Sequence, residues 1–215
     1  MTATLPLRLA RWGVGAVVVS VVLIGLLHLL PPSNTLDPLS RTISEYALLG
    51  NGWLFVLGVV ALAVGSALVL HALVLTGRLR WASPAGVFAA AWCVGLIGLV
   101  VFPKQGFGPD TTVLGRIHWS WTLLAFVSLP IAVALMCRGR TGRTPRALRV
   151  LTGVAVAWFL VLTLQTVLGG NDVLGLGQLV GLVERGVAVT EMVMTMVLAG
   201  WVLAVRPVVV PAVAG

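Results

Sequence analysis

Apolar residues fall in six long runs, and nearly every charge lies between them. The runs cover about Trp12 to Leu30, Trp53 to Leu75, Pro84 to Phe102, Ile117 to Cys137, Val150 to Leu168 and Leu182 to Val205. As helices rising about 1.5 Å per residue, each is long enough to cross a hydrocarbon core of about 30 Å. A helix also satisfies its own backbone hydrogen bonds, which lipid cannot do. A transmembrane β-barrel would need shorter, alternating segments, and these runs do not alternate. The pattern predicts an all-α, six-helix transmembrane bundle forming one integral membrane domain over residues 1–215.

The connections add detail. Arg8 and Arg11 precede the first run, which ends in His28-Leu29-Leu30-Pro31-Pro32 with no small-residue cleavage site. It therefore reads as a retained helix and not a signal peptide. Pro31 to Gly50 is longer than an ordinary helix connection, which predicts a short interfacial segment. Ser83-Pro84 forms an N-cap and first-turn pair for the third helix. Gly169-Gly170-Asn171-Asp172 breaks the fifth run, and a glycine-rich passage leads to the sixth.

Composition sharpens this picture. Hydrophobic residues make up 59% of the 215 positions and charged residues 9%, whereas soluble domains carry about 25% charged residues. The formal net charge is +8. In a soluble protein that balance would point to nucleic acid; here the arginines flank apolar runs, so topology explains them and no nucleic-acid partner is expected. Six crossings put both termini on one side, together with Arg8, Arg11, Arg78, Arg80, Arg138, Arg140, Arg143, Arg146, Arg149 and Arg206. The other side holds Asp37, Glu45, Asp110, Asp172 and Glu184 among fewer cations. The positive-inside rule then predicts a cell (inner) membrane protein with both termini cytoplasmic. Trp12, Trp81 and Trp201 are expected at the inner boundary, and Trp53, Trp119 and Trp121 at the outer one. Gly95 and Gly98 permit close helix contact. Cys93 and Cys137 fall inside the runs, which argues for packing thiols over a disulfide or a cysteine metal site.

The candidate chemistry gathers toward the outer side. Glu191 lies seven residues beyond Glu184, on nearly the same helix face and about 10 Å deeper. An ionisable group at that depth must face the bundle or carry a proton. It is either a proton-carrying or ligand-binding carboxyl in an outward cavity, or a neutral carboxyl bonded to a neighbouring helix. His118 opens the fourth run and His28 closes the first, making them weak candidates for a zinc or haem site, although no His-Glu-x-x-His pattern exists. His71 has no evident partner. Arg185 and Arg116 are expected to pair with acids such as Asp110, Asp172 or Glu45 and fasten the rim, or else to bind an anionic group with a two-pronged guanidinium. Ser40, Ser44 and Tyr46 would add hydroxyl contacts. No Gly-x-Ser-x-Gly elbow singles out a serine nucleophile.

Three motifs in order resemble the DUF998 family of multi-pass membrane proteins. They are Ile43-Ser44-Glu45-Tyr46 followed by Gly52-Trp53-Leu54-Phe55; Phe102-Pro103, Asp110 and Gly115-Arg116-Ile117-His118; and Gly181-Leu182-Val183-Glu184-Arg185. One departure is Lys104 directly after Phe-Pro, where the family often has an acid. The resemblance implies a six-span protein of unknown function, supplies no substrate or cofactor, and directs attention to Ser44, Glu45, His118, Glu184 and Arg185. The combined ligand-binding candidates are Ser44, Glu45, Asp110, Arg116, His118, Glu184, Arg185 and Glu191. The expected role is binding or transport of a lipid headgroup or small polar solute at an outward polar pocket. The alternatives are a metal-dependent intramembrane hydrolase using His28 and His118, and a structural or assembly subunit. Beyond the lipid bilayer, no protein partner is indicated.

Overall fold

The computed structural model describes residues 4–108, 112–168 and 176–204. Asp110, Asp172 and Arg206 therefore lie outside the described residues. Six long helices make up the fold: α1 (Thr4–Leu27), α2 (Trp53–Leu75), α3 (Pro84–Val101), α4 (Val113–Cys137), α5 (Arg143–Leu168) and α6 (Val180–Leu203). No strand occurs among the described residues. All six helices are long and apolar enough to cross a membrane, and the chain is a multi-pass transmembrane protein.

Several helices outrun their apolar stretches. α1 begins at Thr4 and carries Arg8 and Arg11 inside it. α5 begins at Arg143, so Arg143, Arg146 and Arg149 ride on its first turns instead of forming a loop. α4 starts at Val113, where the Thr112 hydroxyl accepts the Gly115 N–H at 2.9 Å. Ser83 caps α3 as its sequence indicates, accepting from the Gly86 N–H at 3.2 Å. Apolar content reports the thickness of hydrocarbon, whereas a capped backbone can continue beyond it.

Neighbouring helices pack as antiparallel pairs, α1 with α2, α3 with α4 and α5 with α6, and α6 returns to touch α1 and α2. The ring of helices is thereby closed. At Gly95 an added Cβ would lie 2.8 Å from the Ala125 nitrogen, and at Gly98 it would enter the Trp121 ring. These glycines let α3 and α4 approach closely, as expected of small residues at membrane helix contacts. α2 and α4 are the most buried helices, and α1 and α5 the least. Val18, Val19, Val21 and Val22 on α1 are exposed, an apolar surface suited to lipid.

The tryptophans divide between surface and packing positions. Trp12, Trp53 and Trp81 are exposed. Trp121 instead stacks on Phe102 at 6.0 Å, and Trp201 lies beneath the Arg78 and Arg140 guanidinium groups. His71 does have a partner, stacking on Trp81 at 6.4 Å. Both cysteines are free thiols.

Candidate functional site

The segment between α1 and α2 is more than bare loop and is built on two 3₁₀ turns, Ser33–Thr35 and Ile43–Leu48. Between them Asp37 organises an exposed turn. Its carboxylate accepts the Ser40 hydroxyl at 2.6 Å and the Leu39 and Ser40 N–H groups at 3.2 Å each. Those donated bonds, the Ser40 hydroxyl foremost, hold the Asp37 carboxyl below its ordinary pKa. The segment then lies across the start of α6. Leu182 N–H donates to the Leu39 carbonyl at 3.0 Å. Gly181 makes this approach feasible, since a Cβ there would sit 2.6 Å from the Pro38 carbonyl oxygen and collide with that of Arg41.

Arg185 is the hub of the contact. Its Nε donates to His28 Nε2 at 3.1 Å. One terminal nitrogen donates to the Arg41 carbonyl at 2.7 Å and to the Gly181 carbonyl at 2.9 Å. The other donates to the Tyr46 hydroxyl at 3.0 Å. His28 packs edge-on against the Tyr46 ring, with 5.1 Å between centroids. Arginine is donor-only, so His28 Nε2 must be the acceptor and Nδ1 carries the proton, donating to the Ile24 carbonyl at 3.0 Å. Both ring nitrogens of His28 are thus engaged within the protein. Of the acids expected to pair with Arg185, Asp110 and Asp172 lie outside the described residues; among those described, its hydrogen-bond partners are a histidine, a hydroxyl and carbonyls.

Glu184, adjacent on α6, reaches the same segment from another side. Its Oε2 accepts the Ile43 N–H at 2.7 Å. Lys104, Arg185 and Glu45 all lie within electrostatic reach of it. Glu45 is buried, and its Oε1 accepts the Gly108 N–H at 2.8 Å, tying the segment to the α3–α4 connection. Its Oε2 is buried without a hydrogen-bond partner. Lys104 is itself buried and belongs to this cluster. Sequence reasoning counted it only as a loop charge, though the sole lysine of the chain, directly after Phe102-Pro103, was a usable signal.

The remaining candidates are more dispersed. His118 is buried on α4, with Nδ1 2.7 Å from the Phe102 carbonyl oxygen, joining α4 to the end of α3. Ser44 is buried, its hydroxyl 3.2 Å from that of Thr42. Arg116 is exposed. Asp110 lies outside the described residues. No group of three or more His, Cys, Asp or Glu side chains among the described residues is placed to hold a metal ion.

Glu191 stands apart from the others. It is 0% exposed, and neither carboxyl oxygen has a hydrogen-bond partner. Thr195, one turn deeper, bonds the Glu191 backbone carbonyl at 3.0 Å and not its carboxyl. The titratable groups of the packed helices sit near their ends: Arg8, Arg11 and His28 on α1, His71 on α2, Arg116 and His118 on α4, and Arg143, Arg146 and Arg149 on α5. An ionised carboxylate without donor or cation in such a place would cost several kcal/mol. Ser20 on α1 is also buried with an unpartnered hydroxyl. It lies eight residues below His28, while Glu191 lies six below Arg185, which touches His28. At about 1.5 Å per residue the two reach similar depths on packed helices.

Six apolar helices closed by a polar segment over α6 define an integral membrane helical bundle. Over residues 7–201 the chain matches the family described as protein of unknown function (DUF998), and it belongs to that family. No curated protein matches it, and no solved structure does either.

Proposed function

We propose that this protein is a binding or transport-related membrane protein that handles protons at Glu191, beneath a polar cap formed by residues 37–46. The observation that carries this reading is the Glu191 carboxyl, wholly buried at mid-helix with both oxygens unbonded. Ionisable groups are costly within a membrane, and where they occur they mark ion, proton or substrate paths. The alternative of a carboxyl merely bonded to a neighbouring helix lacks its bond. The substrate class is a lipid headgroup or a small polar solute, reached from the capped side. Arg185 has its guanidinium committed to the cap, so an anionic group would meet exposed Arg116 first.

Reconstituted vesicles enclosing a pH-sensitive dye provide the test. Under an imposed membrane potential the wild type should admit protons, and Glu191→Gln should fall to the rate of protein-free vesicles. Equal flux in both, or none in the wild type, would remove the proton-handling role.

In the same reading the arginine-rich face is cytoplasmic in a bacterial-type cell membrane, following the charge bias of the connections. A cysteine at exposed Asn34 should react with a membrane-impermeant maleimide in intact cells, whereas one at exposed Arg143 should react only after permeabilisation. The reverse pattern would invert the topology.

A second reading, a structural subunit, is favoured by the way Arg185 and Glu184 spend their bonds inside the fold. Wild-type flux without a partner protein would set it aside.

A further inference from the structure

At the opposite end of the bundle, the end of α2, the turn into α3 and the end of α4 form a half-open cavity of about 330 Å³. Arg78, Arg80, Arg138 and Arg140 all line it, together with Ser83 and Ala85 at the start of α3. The first turn of that helix adds the positive end of its dipole. Arg140 donates to the Arg78 carbonyl at 2.9 Å. The two guanidinium groups share the Trp201 ring, 5.5 Å and 5.2 Å from its centroid. Burial, followed by the nearby charge of Arg140, pushes the Arg78 guanidinium below its ordinary pKa.

Among the described residues no acid lines this cavity. Asp37 and Glu45 belong to the opposite end, in the connection between α1 and α2, and Glu184 and Glu191 to the opposite half of α6. Membrane topology accounts for arginines on this face, but not for their convergence. Arg8, Arg11, Arg143 and Arg146 share the face and lie outside the cavity lining. Arg149 makes a different use of its charge, donating to the Cys137 and Arg140 carbonyls. Among the described residues the Arg80 and Arg138 guanidinium groups have no hydrogen-bond partner, and both residues are exposed at the rim.

We propose that this arginine-lined cavity binds a phosphate-bearing anion. Guanidinium groups pair with phosphate oxygens in a two-pronged geometry. Basic pockets between transmembrane helices at a membrane surface suit anionic lipid headgroups. The phosphate comes from such a headgroup or from a soluble phosphate compound, and the chemistry of recognition is the same for both. The site is independent of Glu191 and of the outer cap.

The test is native mass spectrometry of the delipidated full-length protein in detergent, titrated with phosphatidylglycerol, phosphatidylcholine or inorganic pyrophosphate. Arg140→Gln would also break the bond to Arg78, so the informative variant is R80Q/R138Q, which removes two cavity charges and no bond within the described residues. R8Q/R11Q removes the same charge from the same face outside the cavity. The wild type should retain phosphatidylglycerol over phosphatidylcholine, with affinity about tenfold or more lower in R80Q/R138Q and unchanged in R8Q/R11Q. Pyrophosphate binding with the same variant pattern would identify a soluble source instead. Absence of anion binding by the wild type, or equal loss in both double variants, would overturn the proposal.

Discussion

Glu184, Arg185 and Glu191 occupy one stretch of α6 and do three different things. Glu184 accepts a backbone N–H from the cap, Arg185 donates to four acceptors around it, and the Glu191 carboxyl has no hydrogen-bond partner among the described residues. Their gathering near one end was legible from the seven-residue interval and the positions of the charges. The partners were not, because charge pairing suggested acids for Arg185, whereas the described residues around it present a histidine, a phenol and carbonyls. Arginine suits that set, since its planar fork carries five fixed donors. Lysine cannot reach all of these acceptors at once. Arg185→Lys should therefore destabilise the cap by about 2–3 kcal/mol, the scale of a few charge-assisted hydrogen bonds. Amide hydrogen exchange would rise across residues 38–49 and stay unchanged within α2. Unaltered exchange in the cap would mean that Arg185 does not fasten it.

At the scale of elements, the long apolar runs gave away the helices, and their polar ends concealed the boundaries. α2 begins at Trp53 and ends at Leu75, where the apolar run itself begins and ends. α5 begins at Arg143, ahead of its apolar run, because nothing in a basic, turn-rich stretch distinguishes a solvated helix end from a loop. The start of α4 was readable in principle from Thr112, a preferred cap residue three positions before Gly115. The cap segment was legible as structured but not as buried. Ser44, Glu45 and Tyr46 lie in a six-residue 3₁₀ turn with their side chains inward, and the sequence alone carries no periodicity over so short an element. Gly181 is the local reason it fits, since only a missing side chain admits the backbone of residues 38–41 against α6.

Over the whole molecule, charge and its absence separate into three zones. One end carries Asp37, Glu45 and Glu184, which accept hydrogen bonds from backbone N–H groups and the Ser40 hydroxyl around the cap. The other end gathers arginines about a cavity without acids. Between them the described interior holds a single ionisable carboxylic acid, Glu191. The bilayer explains why the zones exist, for it sorts charge to both ends and tolerates it between only at a cost. It does not explain why a carboxyl is kept at the centre, and that residue is the core of the functional account. Infrared spectroscopy of the reconstituted wild type and Glu191→Gln, before and after transfer to heavy water, tests it most directly. The account predicts a protonated carboxyl band at neutral pH that is absent from Glu191→Gln and shifts promptly in heavy water, because a working proton site communicates with solvent. A band that never shifts while the protein remains folded, or no Glu191-dependent band at all, would contradict it.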